Sequence, residues 1–332
     1  MRCRSTNVRS AGLGSLKIST QVLIISQLAA GSIQPTSLTH SSNHVFIFLR
    51  RCLAAQFSFC IVMVKRFVYP AFVVMVPLLI ALVFNALLTP DQPAEVMPQH
   101  LKLTGDHAYF RPLENQVSGF KDSAAKYHRS PCPALNALAN HGYLPRDGKG
   151  VTPQHLQQAL VSVYNLHKSL AEFLVSSLPE KFTLADLGEH NFVEHDASLV
   201  HEDSFKGTDP CKVNVTMVCD LLSRADKNAH LTRSTFAAYR RERELDSAAN
   251  TPDFKDTFNA QRALTAYSEP AVLLLVLGDD TTTSISIDDA RSFLREERIP
   301  DDYEMPKVPV TLYQSLWLTL QLKILALMSG FM

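Results

Sequence analysis

Three short stretches of the chain gather side chains able to do chemistry. In the first, SPCPALNALANHGYLPRDGKG (Ser130 to Gly150), Cys132 stands between two prolines at the head of an Ala/Leu-rich run. Proline at the first helical position sacrifices no helical hydrogen bond, so Pro133 opens a helix, and Pro131 stiffens its approach. The free backbone N–H groups of Ala134 and Leu135 then point at the sulfur, together with the positive end of the helix dipole. Both effects favour the thiolate, the form that attacks electrophiles or binds metals. The same residues also suit a buried structural cysteine whose prolines merely start a helix. A CxxCH motif is absent, so nothing points to a covalently attached haem.

The second stretch, GEHNFVEHDASLVHED (Gly188 to Asp203), packs Glu189, His190, Glu194, His195, Asp196, His201, Glu202 and Asp203 into a turn-like segment. Carboxylates beside an imidazole hold a hydrated divalent cation or orient the ring for proton transfer. A solvated surface loop is the plainer reading, and without HExxH a zinc hydrolase is disfavoured. The third stretch is RALTAYSEPAVLLLVLG (Arg262 to Gly278). Glu269 is the only acid between Asp256 and Asp279 and precedes an apolar run. A carboxyl against apolar surface is expected to have a raised pKa, toward the range useful for acid–base work. Arg262 lies about two turns earlier on the same helix face. Pro270 must either kink this helix or begin a new one, and an exposed Glu at a helix entrance is the plainer reading.

The elements around these stretches are mostly helical. Thr152-Pro153 marks a helix start, and Leu156, Leu160, Val163, Leu166, Leu170 and Leu174 recur at helical spacing, predicting one amphipathic helix to about Leu178. Further helices are predicted around 218–222, from about Ser234 through TFAAYRRERE, over 258–277 with Gly278 as a stop, and after a Ser286/Asp289 cap until Pro300. The tail LYQSLWLTLQLKILALMSGFM is a last apolar helix, with Trp317 either at a membrane interface or in a final core helix. TTTSISI at 281–287 is the best strand candidate, so the class is all-α. Cys211 and Cys219, about 12 Å apart if on one helix, are too far to bridge and read as free core thiols. Asn214-Val215-Thr216 is a glycosylation sequon.

The chain has 332 residues, six of them Cys, with Lys+Arg and Asp+Glu equal at 32 each and 19% charged residues. Zero net charge leaves no electrostatic footprint for nucleic acid, and six cysteines over this length are no disulfide scaffold. Phe67 to Leu88 is free of charge and about long enough to span a bilayer. Lys65 and Arg66 precede it, and Asp91 and Glu95 come after it. The positive-inside rule therefore places the chain beyond Leu88 across the membrane. The division expected is 1–62 as an N-terminal extension, 63–98 as anchor or signal segment with linker, and 99–332 as one helical domain. That domain is held at the membrane in the secretory lumen or outside the cell, or is secreted if the segment is cleaved.

The chemical stretches together resemble one family. PCPALNALANHGYLPRDG is similar to the proximal signature of the fungal haem-thiolate peroxidases, the chloroperoxidase and unspecific peroxygenase family. EHDAS (Glu194 to Ser198) resembles its EHD or EGD motif. YSEPAVLLLVLGD (Tyr267 to Asp279) resembles its distal-glutamate helix, and FLREERIP (Phe293 to Pro300) its FF-x-x-ERLP stretch. The resemblance spans roughly Pro98 to Leu327 and implies a haem-binding helical domain of chloroperoxidase type that uses hydrogen peroxide to oxidise a small apolar or aromatic substrate through a ferryl-oxo intermediate. It implies Cys132 as the axial thiolate of haem b, tempered by the Ala134 and Leu135 amides, and Glu269 as the distal acid–base. His195, supported by Asp196, would position Glu269. Glu194, Ser198 and the His195 carbonyl would hold Mg2+ or Mn2+. Long peroxygenases have Gly where His195 stands and pair their glutamate with an upstream arginine, so Arg262 and His195 compete for that role. Two other readings are a non-catalytic haem-binding or structural relative, and a divalent-metal protein centred on 189–203.

Overall fold

Residues 101–279 and 282–329 are described by the computed structural model of the chain, and most helices in them begin where a side chain satisfies the first free amides. Cys132 is the N-cap residue of α1 (Pro133–Asn140), with proline inside the first turn. Thr152 accepts from the His155 amide to start α2 (Pro153–Tyr164), which is followed by α3 (Lys168–Val175). Asn214 caps α4 (Val215–Ser223), and Thr232 and Thr235 cap α5 (Arg233–Asn250) reciprocally. After the short α6 (Phe254–Thr257), Asn259 caps α7 (Ala260–Leu277) and Ser286 caps α8 (Ile287–Glu296). The last helix is α9 (Leu312–Ser329). Each such cap contributes about 1 kcal/mol.

The helix expected to run to Leu178 is two helices. Asn165 adopts the left-handed conformation (φ 49°) and ends α2. Its side-chain amide donates to the Pro306 carbonyl at 2.7 Å, and the backbone pairs Leu166 with Val310. The periodicity continues through the break because Leu166 and Leu170 are both buried. Pro270 neither starts a helix nor breaks one, since α7 runs through it. Two short ribbons complete the described structure. β1 (Val117–Ser118) pairs in parallel with β2 (Tyr127–His128), and β3 (His230–Leu231) pairs antiparallel with β4 (Ile285–Ser286). Within the strand expected at 281–287, β4 is the described part that forms.

The core is helix on helix. α9 packs against α5 and α7, α8 against α1 and α4, and α2 against α3. Leu318, Leu322 and Ala326 turn α9 inward while Trp317, Ile324 and Leu327 stay exposed, so it is a final core helix. The apolar segment 67–88 expected to anchor the chain lies outside the described residues. Among those, no helix is long and apolar enough to cross a membrane. Cys211 is a free thiol, whereas Cys219 is disulfide-bonded, which corrects the expectation that both are free.

Candidate active site

Asn136, one turn into α1, fixes how Cys132 is presented. Its Oδ1 accepts from the Ser130 amide at 2.9 Å, and its Nδ2 donates to the Ser130 carbonyl at 2.7 Å. The same Nδ2 donates to Glu297 Oε1 at 2.5 Å, and Glu297 Oε2 pairs with Arg111 at 3.1 Å. Glu297 itself sits in the left-handed conformation (φ 51°) at the end of α8, and its carbonyl accepts from Asn140 Nδ2 at 3.0 Å. A satisfied buried network of this kind specifies one geometry. Further back, Arg129 spans Asn140, His128 and Arg146. Gly148 (φ +70°) lies so close that a Cβ would meet the His128 carbonyl at 2.0 Å.

Burial dominates the thiol itself and pushes Cys132 up to about 11, while the Leu135 and Ala134 amides act in the opposite direction. The two amides therefore do what the sequence implies, but burial outweighs them and the uncomplexed sulfur is a thiol. A cation bound at sulfur would reverse that balance by displacing the proton.

In the wall of the same cavity, His195 Nε2 lies 3.1 Å from Glu269 Oε1, and His195 Nδ1 lies 2.7 Å from the Asp196 carbonyl. Both ring nitrogens thus face acceptors, which suits the doubly protonated ring. Burial alone would lower the His195 pKa, but the Glu269 charge and hydrogen bond outweigh it and hold it raised. Burial would likewise raise Glu269. The His195 charge and hydrogen bond, then Arg240 and His201, hold it below its ordinary value instead. The raised Glu269 pKa expected from the apolar run is therefore corrected, because the His195 and Arg240 charges outweigh the burial that the run supplies. The carboxylate stays open to the cavity, with 47% of its side-chain surface accessible.

Asp196 also differs from expectation, because it supports His195 through its backbone carbonyl. Its carboxylate faces away, accepting from the Ser204 amide at 2.9 Å. Burial above all, and then like-charged Asp203, raise the Asp196 pKa. Asp203 in turn accepts from the Ala197 amide at 2.9 Å and from the Thr251 hydroxyl. Arg262 does not reach Glu269: its Nε donates to Asn191 Oδ1 at 3.1 Å, and its guanidinium also binds the Asn191 carbonyl. Between the two candidates, the residue contacting Glu269 is His195. Glu194 pairs with His190 Nδ1 at 2.7 Å. The Ser198 oxygen accepts from the Val200 and His201 amides, so its proton is directed to His201 Nδ1 at 3.3 Å.

These groups border one cavity of about 300 Å³, with Cys132, Ala134, Leu135, Glu194, His195, Ser198 and Glu269 in its wall. The remaining lining is largely aliphatic, including Leu156, Leu160, Leu187, Val272 and Leu294. One charged residue near it was missed from sequence. Arg240 is fully buried on α5, donates to the Ala197 carbonyl, and keeps Nε and Nη2 without protein partners. His201 lines the cavity with burial pushing its pKa down to about 4. Arg240 was recoverable in principle, since Phe236, Ala237, Arg240 and Glu244 form one buried stripe of α5.

A thiol at a helix start and a histidine-braced carboxylate thus share the wall of one largely aliphatic cavity. The chain belongs to peroxidase family 2, whose family model matches residues 107–308. It is similar to the aromatic peroxygenase of Cyclocybe aegerita, 30% identical over 204 residues, or 53% of this chain and 54% of that protein. Similarity to the aromatic peroxygenase of Coprinellus radians is 28% over 206 residues, 53% of this chain and 77% of that protein. The chloroperoxidase of Leptoxyphium fumago is 33% identical over 110 residues, 29% of each chain. The chain thus spans about half the length of the Cyclocybe relative.

Proposed function

We propose that the chain is a hydrogen-peroxide-dependent haem-thiolate oxidoreductase, a peroxidase or peroxygenase acting on a small apolar or aromatic molecule. The observation that carries this reading is the placement of Cys132 and the His195–Glu269 pair in the wall of one aliphatic cavity. Those residues fit haem b: an apolar macrocycle suits the aliphatic walls, and a single soft sulfur held by backbone amides suits an axial iron ligand. When bound, the haem supplies the redox chemistry, and a thiolate donor pushes electron density that favours O–O cleavage.

The chain's own residues handle the proton. Glu269, held ionised by His195 and Arg240, takes a proton from one oxygen of hydrogen peroxide and returns it to the departing oxygen, which leaves as water. His195 fixes the carboxylate's position and keeps its charge. The Ala134 and Leu135 amides temper the charge on sulfur. Glu194, Ser198 and the His195 carbonyl are the hard oxygen donors for Mg2+ or Mn2+. Aromatic substrates are favoured by the names of the two peroxygenase relatives. We place the domain in the secretory lumen or outside the cell. The disulfide-bonded Cys219 and the Asn214 sequon support that compartment, with residues 67–88 as membrane tether or cleaved leader.

The test is the absorption spectrum of the purified protein, reduced and exposed to carbon monoxide, beside Cys132→Ala. A strongly red-shifted Soret band in the wild type and its loss in the variant are expected. A folded protein that takes up no haem, or one whose spectrum ignores the substitution, overturns the reading in favour of a structural relative.

A further inference from the structure

Helix α9 belongs to the core along one stripe only. Leu318, Leu322 and Ala326 are buried where the helix packs on α5 and α7. On the opposite side Tyr313, Trp317, Ile324, Leu327 and Met328 are 40–57% exposed, with half-buried Leu320 among them. Their spacings of four, three, four, three and one place all six on one helix face. The polar side chains of α9 are engaged elsewhere. Lys323, its one charged residue, turns to the domain, with Nζ 3.0 Å from Glu244 and 4.2 Å from the centre of the Tyr267 ring. Gln314 Oε1 accepts from the Thr311 amide at 2.8 Å, and Gln321 Oε1 accepts from Arg233 at 3.0 Å.

A surface helix normally turns charge to water, and one that is apolar on both faces belongs in a core or in lipid. An exposed apolar stripe about four turns long therefore marks a contact. Two observations select lipid as what it meets. Tyr313 and Trp317, rings with a polar tip, stand at one end of the stripe, and aliphatic residues and Met328 fill the rest. That is how side chains divide at a membrane–water boundary. The chain also carries its own membrane-length segment, since Phe67 to Leu88 holds no charge and is about long enough to span a bilayer. Residues 89–100, which lead from it to the domain, reach at most about 40 Å when fully extended.

We propose that the outward stripe of α9 lies in the membrane interface, with Trp317, Ile324 and Leu327 against lipid acyl chains, so that the domain rests on the bilayer surface. The inference rests on reading residues 67–88 as a membrane tether. Helix α9 is not long and apolar enough to cross a membrane, so it lies along the surface and sinks about 5–10 Å below the headgroups. Its opposite stripe stays in the core, which holds the helix to the domain as the outer stripe meets lipid.

The experiment reads Trp317, the single tryptophan of the chain, in full-length protein reconstituted into phosphatidylcholine vesicles. Its emission is compared between plain lipid and lipid brominated near either end of the acyl chains, a ratio from which quenching by a bound cofactor cancels. Bromines near the headgroup should quench Trp317 more than bromines near the bilayer centre. The paired substitution Ile324→Glu and Leu327→Glu, at two exposed positions, should abolish that quenching. Protein that floats with the vesicles while no bromine quenches it overturns the contact and leaves the tether standing. Quenching that the paired substitution does not weaken, or that is strongest at the bilayer centre, also overturns it. Emission that shifts with protein concentration and not with lipid overturns it in favour of a second copy of the chain. Protein that does not float with the vesicles overturns tether and contact together. None of these readouts depends on peroxide chemistry.

Discussion

The two walls of the cavity are held by different physics. On the Cys132 side the sulfur meets backbone amides, and the side chains that fix its loop, Ser130, Asn136 and Glu297, hydrogen-bond behind it and not to sulfur. On the Glu269 side the carboxylate meets a side-chain cation directly, with a second buried cation, Arg240, adding its charge. One wall controls geometry and leaves the charge state to whatever binds. The other fixes the charge state in advance. Burial pushes the thiol up and the facing cations push the acid down, so the two environments widen a separation that the groups' ordinary values already give at neutral pH.

Glu269→Gln is the largest break in this contrast. It preserves shape and removes the proton acceptor, so peroxide-dependent oxidation of a phenol should fall by about 10²–10⁴-fold with haem content unchanged. Next is His195→Gln, read as a pH profile. In the wild type the ionised Glu269 persists below its ordinary value of 4.5. Without the imidazolium, burial is opposed less, so the acid limb of kcat/KM should move to higher pH; an unmoved limb would show that His195 does not set the charge.

The same pair predicts a stability window. Glu269, with its pKa lowered, stabilises fully above about 4.5 and loses that as pH falls through its folded value. His195, with its pKa raised, stabilises fully below about 6.5 and loses that as pH rises through its folded value. The Tm gap between wild type and His195→Gln should therefore be widest between about pH 4.5 and 6.5 and narrow on both sides. Asn136→Ala probes the other wall. It strands Glu297 Oε1 and the Ser130 backbone, and should cost about 1–3 kcal/mol in denaturant unfolding with no pH window of this shape. Arg262→Ala should be the mildest. It frees the Asn191 and Phe192 carbonyls and should leave the acid limb where it is, because Arg262 does not touch Glu269.

How legible each wall was in the sequence depends on the same difference. The helix start of the thiol wall is local: cap, prolines and the two amides lie within Pro131–Leu135, so spacing and helix-end chemistry were enough to put the sulfur at a helix N-terminus, while its role came only from resemblance to a family. The carboxylate wall joins residues 74 apart in sequence, and only resemblance to a family connected His195 with Glu269. Arg240 was lost in a run of charges, Tyr239-Arg-Arg-Glu-Arg-Glu, that reads as a solvated helix face, although α5 turns Arg240 and Glu244 inward. The break at Asn165 escaped periodicity because its partners, Pro306 and Val310, arrive from the far end of the domain.

Those far-end partners also bear on how the domain is made. Asn136 meets Glu297 across 161 residues of sequence and Asn165 meets Pro306 across 141. Chains emerge from the ribosome at about 5–20 residues per second, and contacts this distant form late. The cysteine helix is thus synthesised early but has no complete clamp until the segment around Glu297–Val310 has emerged, so a nascent chain halted before that point should present its thiol unframed.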